Sequence, residues 1–124
     1  MSRGLLLFAH GARDARWAEP FEEVARRVRL REPAVQLAFL EFMAPTLREA
    51  GRTLAQAGCS AVDVVPLFLG AGGHVRKDLP KLLAELALAY PNVQWRLQRA
   101  IGEVDGVIEA MAQAALAPFS EPGR

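Results

Sequence analysis

Four short apolar runs, each followed by a stretch with helical spacing, constrain this chain more than any other feature of it. Residues 4–10 (GLLLFAH) are continuously apolar up to His10, as suits a strand buried on both faces. Residues 17–31 then place Phe21, Val24, Ala25 and Val28 at i, i+3, i+4, i+7 on one helical face, and Pro33 closes that segment. The unit repeats three times. Residues 35–41 (VQLAFLE) predict a strand ending on Glu41, and residues 45–57 predict a helix presenting Leu47, Ala50 and Leu54, with Pro45 in its first turn and Gly58 as C-cap. Residues 62–69 predict a third strand, and a helix over 79–90, capped by Asp78, presents Leu79, Leu82, Leu83 and Leu86. Residues 93–99 (VQWRLQR) alternate as a half-covered edge strand does, and a helix over 103–117 presents Val104, Ile108 and Met111.

The resulting β-α-β-α-β-α-β-α order implies an α/β fold: a four-stranded parallel sheet with helices on both faces and right-handed crossovers. The first expectation for strand order is 2-1-3-4, that of a truncated flavodoxin-like sheet. With 124 residues, the chain is expected to form a single domain over 1–117, with 118–124 as a frayed tail. A net charge of +1 gives no general case for nucleic-acid or membrane-surface binding. The single cysteine, Cys59, excludes an internal disulfide and any cysteine-cluster metal site, and it is expected to be a small buried apolar group. No apolar run approaches membrane-spanning length and no signal-peptide pattern precedes the first strand, so the expected location is cytoplasmic.

In a parallel sheet all carboxyl ends share one edge, where ligands bind. The chain has only two histidines, His10 and His74, and both follow a predicted strand beside glycines. Glu41 ends the strand between them. Two imidazoles and a carboxylate suit a divalent ion of intermediate softness, such as Fe, Co, Ni or Zn, and the same groups move protons near neutral pH. Each residue taken alone also fits a strand cap bonded to backbone. Gly70, Gly72 and Gly73 allow a backbone to approach a ligand closely. Arg13, Arg16, Arg76 and Lys77 lie in the two histidine segments and suit a carboxylate-rich substrate, or are ordinary solvated charges. Trp17, Phe42 and Met43 flank the same edge, as core, as rim, or as a flat apolar wall for a planar ligand.

Nucleotide binding is disfavoured. Lys77 is followed by Asp78 rather than the hydroxyl residue of a Walker loop, and Val75 stands where the dinucleotide fingerprint needs its third glycine.

The segments FAHGARDARWAEPFEEVA and PLFLGAGGHVRKDLP, with FLEFMAPTL between them, resemble the signatures of the small sirohydrochlorin chelatases. Ala12 stands where that family usually carries Ser, and the histidine-rich stretch of some short archaeal members is missing. The resemblance implies a class II chelatase, which inserts a divalent metal into a tetrapyrrole without ATP, agreeing with the missing phosphate loop. It implies His10 and His74 as metal ligands and proton acceptors, Glu41 as a third site residue, and sirohydrochlorin as substrate, held bent while its N–H protons leave. Arg13, Arg16, Arg76 or Lys77 would meet its carboxylates, and Gly72, Gly73 and Met43 complete the expected substrate contacts. Co²⁺ is the favoured metal, with Fe²⁺ and Ni²⁺ as alternatives, serving cobalamin or siroheme-type synthesis. A non-catalytic metal or tetrapyrrole carrier and a plain α/β interaction module are the rivals. At about half the length of two-lobed chelatases, the chain offers one edge and no facing wall, so the resemblance further implies a homodimer.

Overall fold

The computed structural model describes residues 2–70 and 72–120, and the side chains of His74 and Ser120 lie outside that description. Four parallel strands, β1 (Ser2–Ala9), β2 (Val35–Phe39), β3 (Cys59–Pro66) and β4 (Gln94–Leu97), form one sheet in the order β2-β1-β3-β4, as expected. β1 pairs on both sides, with Leu7 opposite Leu37 on one neighbour and Val65 on the other. Burial on both faces is why Leu6, Leu7, Phe8 and Ala9 form an unbroken apolar run with none more than 3% exposed.

One face is covered by α1 (Glu19–Arg29), which follows a 3-10 turn at Ala15–Ala18. Its Phe21, Ala25 and Val28, with Trp17, pack on Leu7, Ala9, Leu37 and Phe39. The opposite face is covered by α2 (Leu47–Gln56) and α3 (Gly73–Ala89). There Leu47, Ala50, Leu54, Leu79, Leu83 and Leu86 pack on Leu6, Phe8, Val62 and Val64. Gly58, with φ of 90°, turns the chain from α2 into β3, as its predicted cap role requires.

Three expectations are corrected. Helix α2 begins at Leu47 rather than Pro45, because Thr46 is the cap: its hydroxyl accepts from the Glu49 N–H while the Glu49 carboxylate accepts from the Thr46 N–H. Helix α3 begins at Gly73, six positions before Leu79, with extended Gly72 in the cap position. Asp78 and Pro80 therefore lie inside the helix, Pro80 removing one intrahelical donor, and His74, Arg76 and Lys77 sit on its first turns rather than in a loop. β3 accordingly stops at Pro66, before the apolar run ends at Leu69.

The last helix departs furthest. After a 3-10 turn at Ile101–Glu103, α4 spans Asp105–Ser120, three positions beyond the expected end at Ala117. Val104, Ile108 and Met111, expected to face the sheet, are 38, 47 and 40% exposed. The sheet surface beside β3 and β4 on the α1 side is polar instead: Asp63 is ion-paired to Arg3 and Arg96 and accepts from Gln98. Residues 121–124 of the expected tail lie outside the described residues.

Phe8 is fully buried and meets Phe68 edge-on at 6.0 Å between ring centroids. Phe8→Ala is expected to cost about 3–5 kcal/mol of unfolding free energy, read as a lowered urea midpoint at unchanged m-value.

Candidate functional site

The carboxyl ends of β1 and β2 are joined backbone to backbone. The Leu40 N–H donates to the Ala9 carbonyl at 2.9 Å, and the Glu41 N–H donates to the His10 carbonyl at 3.1 Å. Gly11, with φ of 95°, permits this closure, since a Cβ there would overlap the Glu41 carbonyl. His10 and Glu41, 31 positions apart in sequence, are thereby set side by side. Their Nε2 and Oε1 atoms lie 3.7 Å apart, with the side chains 49 and 50% exposed. That separation is too long for a hydrogen bond. It is close to the ~3.4 Å between two ligand atoms each ~2.1 Å from one tetrahedral ion. A cation between the two atoms would fit that separation, and half-exposure leaves the pair open to solvent.

The imidazole is steadied from below. Phe68, only 7% exposed, meets the His10 ring edge-on at 5.8 Å between centroids. β3 lies beside β1, with the Leu67 N–H donating to the Phe8 carbonyl at 2.7 Å, so the segment leading from β3 to α3 runs along the same edge. The His74 backbone occupies the first turn of α3 at this edge, and its side chain lies outside the described residues. Among the described residues, no third His, Cys, Asp or Glu joins His10 and Glu41 as a metal-binding group.

The other expected contacts divide. Gly72 and Gly73 are exposed, and an added Cβ would meet nothing within 4 Å at either, so their backbone is open to approach. The Arg13 guanidinium lies 4.6 Å above the Phe42 ring. Arg16 is turned onto its own neighbour Asp14 at 3.1 Å, and this side-chain hydrogen bond, with the Arg16 N–H, holds the Asp14 carboxyl below its usual range. Arg76 faces Glu103 at 3.7 Å, and Lys77 is exposed one position further along α3. Met43 packs inward on the α1-side core, and Trp17 lies against Phe21 at 4.6 Å between centroids. Phe42 is left as the outward apolar ring, 56% exposed. Its φ of 67° is one that a bulky side chain rarely adopts. Phe68 and Glu103 are the neighbours that sequence reasoning missed. One read as an ordinary strand residue and the other as a helix start, and no local pattern marks either.

A cavity of about 150 Å³ lies between α3 and β4, lined by Pro66, Arg76, Leu79, Leu97, Gln98 and Ala100. His10 and Glu41 do not line it, so this cavity is separate from the open edge that holds them. No helix among the described residues is long and apolar enough to cross a membrane.

The family model described as CbiX matches residues 4–116. The chain is 36% identical over 83 residues to a protein of Sulfurisphaera tokodaii named sirohydrochlorin cobaltochelatase, covering 67% of this chain and 69% of that one. Among solved structures, the CbiX protein from Marinobacter aquaeolei VT8 superposes with a TM-score of 0.86 at 32% identity, covering 94% of this chain and 97% of that one. SirB from Bacillus subtilis with Fe³⁺ gives a TM-score of 0.82 at 23% identity, covering 98% of this chain but 49% of the longer neighbour.

Gly11→Ala is expected to cost at least ~2 kcal/mol in urea unfolding, since the new Cβ meets a backbone carbonyl at a positive φ. An unchanged midpoint would show that the β1–β2 closure tolerates a side chain.

Proposed function

The chain belongs to the CbiX family, whose curated relatives are named sirohydrochlorin cobaltochelatases, and on that premise we propose that it inserts a divalent metal into sirohydrochlorin without ATP. The observation that carries this reading is the open His10–Glu41 pair, with Nε2 and Oε1 3.7 Å apart at the carboxyl edge of the sheet.

The metal is a substrate. It is received by the His10 Nε2 and Glu41 Oε1 atoms, with His74 as the further ligand. The macrocycle brings two pyrrole N–H groups, and as M²⁺ enters the ring, two protons leave. Neutral imidazoles at His10 and His74 accept them, so the positive charge that arrives with the metal leaves as H⁺. Phe42 supplies a flat apolar face for the ring, with Arg13 behind it. Arg76 and Lys77, on the first turns of α3, meet substrate carboxylates, while the exposed backbone at Gly72 and Gly73 lets the macrocycle approach. Arg16 has the weakest case of the four cations, being engaged by Asp14. A second copy of the chain supplies the facing wall that one edge lacks. The same reading puts the protein in the cytoplasm.

Co²⁺ is the favoured metal because the curated relatives carry its name, and Fe²⁺ and Ni²⁺ use the same donors. Residue type alone gives no selectivity among them, since affinity follows the Irving–Williams order. Competition between Co²⁺, Fe²⁺ and Ni²⁺ at limiting protein ranks them.

Insertion is followed by the absorbance change of sirohydrochlorin on adding Co²⁺. His10→Ala is expected to lower kcat at least ~100-fold, the scale of a lost proton acceptor and ligand. Turnover retained within a few-fold would remove His10 from the reaction, and no acceleration by the unaltered protein would overturn the chelatase reading.

Phe42→Ala is expected to raise KM for sirohydrochlorin about 10-fold with little change in kcat, the scale of one lost stacking contact. Urea unfolding of this variant should stay within ~0.5 kcal/mol of the parent, because the ring is largely exposed.

A further inference from the structure

The cavity of about 150 Å³ between α3 and β4 takes no part in the His10–Glu41 pair. Its walls are apolar. Pro66 comes from the end of β3, Leu79 from α3, Leu97 from the end of β4, and Ala100 from the segment after it. Leu97 stays 40% exposed, although it belongs to a strand of the sheet, because the cavity separates it from α3. An apolar space of this size is on the scale that accepts a small hydrocarbon group.

Two polar side chains complete the lining, and they are engaged differently. Gln98 donates its side-chain amide N–H to the Asp63 carboxylate at 3.0 Å. Arg76 reaches towards Glu103 instead. Its guanidinium and the Glu103 Oε1 stand 3.7 Å apart, beyond hydrogen-bond range, with the side chains 67 and 40% exposed. An exposed pair at that distance contributes little, and it yields to a carboxylate that can accept two guanidinium N–H groups side by side.

The backbone holds that pair long. The Gly102 N–H donates to the Phe68 carbonyl at 2.9 Å, and a Cβ on Gly102 would overlap the Leu69 carbonyl. The Arg99 guanidinium donates to the Glu103 carbonyl at 2.7 Å. The turn that carries Glu103 is therefore pinned from both sides and does not move in to tighten the pair.

We propose that this cavity is a binding site for an alkyl carboxylate, a chain of about two or three methylenes ending in a carboxylate, and that Glu103 is a built-in competitor which the ligand displaces from Arg76. The methylenes lie on Leu79, Leu97 and Ala100, and the ligand carboxylate takes the guanidinium. Glu103 then turns to solvent, so no charge is left both buried and unpaired. Two sources carry this chemistry: a free short-chain acid, and a carboxylate arm of the macrocycle. The second source rests on the metal-insertion reading. β1 and β4 lie two strand spacings apart, about 10 Å, so an arm seated in the cavity would lie to one side of a ring centred at His10.

The test is a methyl-resolved NMR titration of the full, metal-free chain, with butyrate and separately with sirohydrochlorin. Butyrate is expected to shift the Leu79, Leu97 and Ala100 methyl signals with a dissociation constant on the order of 1 mM. Uncharged butyramide is expected to bind at least ~10-fold more weakly, and Arg76→Gln to weaken butyrate by about the same factor. Glu103→Gln is expected to tighten butyrate about 3-fold, a gain that loss of a merely structural residue would not give. Arg31→Gln, at an exposed position beyond the end of α1, is expected to stay within about twofold of the parent, because a distant charge is screened. The remaining methyl signals report that each variant is folded.

Sirohydrochlorin that shifts the same methyls, and binds tighter to the Glu103→Gln variant, identifies the macrocycle arm as the source. A response to butyrate alone identifies a free acid; it keeps this site and counts against the sirohydrochlorin reading instead. No response of these methyls to either probe, equal binding of butyrate and butyramide, or a Glu103→Gln variant that binds the responding probe no tighter would each overturn the proposal.

Discussion

The double-sided burial of β1 is the constraint on which the rest of this structure depends. A strand hydrogen-bonded to parallel neighbours on both edges, and packed on both faces, has one register available to it. Leu6, Leu7, Phe8 and Ala9 hold that register. Everything at the carboxyl edge is then positioned by where the neighbouring strands end. β2 delivers Glu41 to His10, and β3 delivers the Phe68 ring beneath it. A slip by one residue would exchange the two faces of β1 and separate His10 from Glu41 at the same stroke.

The division between scaffold and chemistry follows from the cost of burying polar groups. Among the described residues no polar or charged side chain is fully buried. Ionisable groups are therefore kept at the surface, where solvent hydrates them or an opposite charge pairs with them. His10 and Glu41 are close without being hydrogen-bonded. Positioning comes from backbone bonds and from Gly11 rather than from a hydrogen bond between the two side chains. Phe42 extends this logic to the apolar part of the site, where an exposed ring in a strained backbone conformation offers contact area that the fold itself does not use.

Helix α4 inverts the pattern. Its apolar stripe has the spacing of a core helix, yet it faces outward. Helical periodicity records that a face will be buried and says nothing of whose surface buries it. The sheet surface beside β3 and β4 on the α1 side carries the Asp63 ion-pair cluster, which is poor packing for isoleucine and methionine. Helix α3 shows a related limit. Asp78 followed by Leu79 and Pro80 has the look of a helix start, but the glycine-rich turn allowed the helix to begin at Gly73, and packing of Val75 and Leu79 on the α2 side of the core favours the longer helix.

Alternation of apolar runs with helical spacing was enough to determine the α/β class, the parallel sheet, the number of strands and the edge on which His10, Glu41 and His74 would fall, because these follow from the periods 2 and 3.6 and from crossover handedness. The strand order was consistent with that reasoning but needed the tertiary structure, since order depends on which faces fit together. Tertiary structure alone decided that Glu41 stands 3.7 Å from His10, that Arg16 turns away onto Asp14, that Met43 points inward while Phe42 points out, and that α4 leaves Ile108, Met111 and Phe119 exposed. Those are contacts between residues distant in sequence or rotations of single side chains. They arise from three-dimensional packing and hydrogen bonding, which leave no local trace in the order of amino acids.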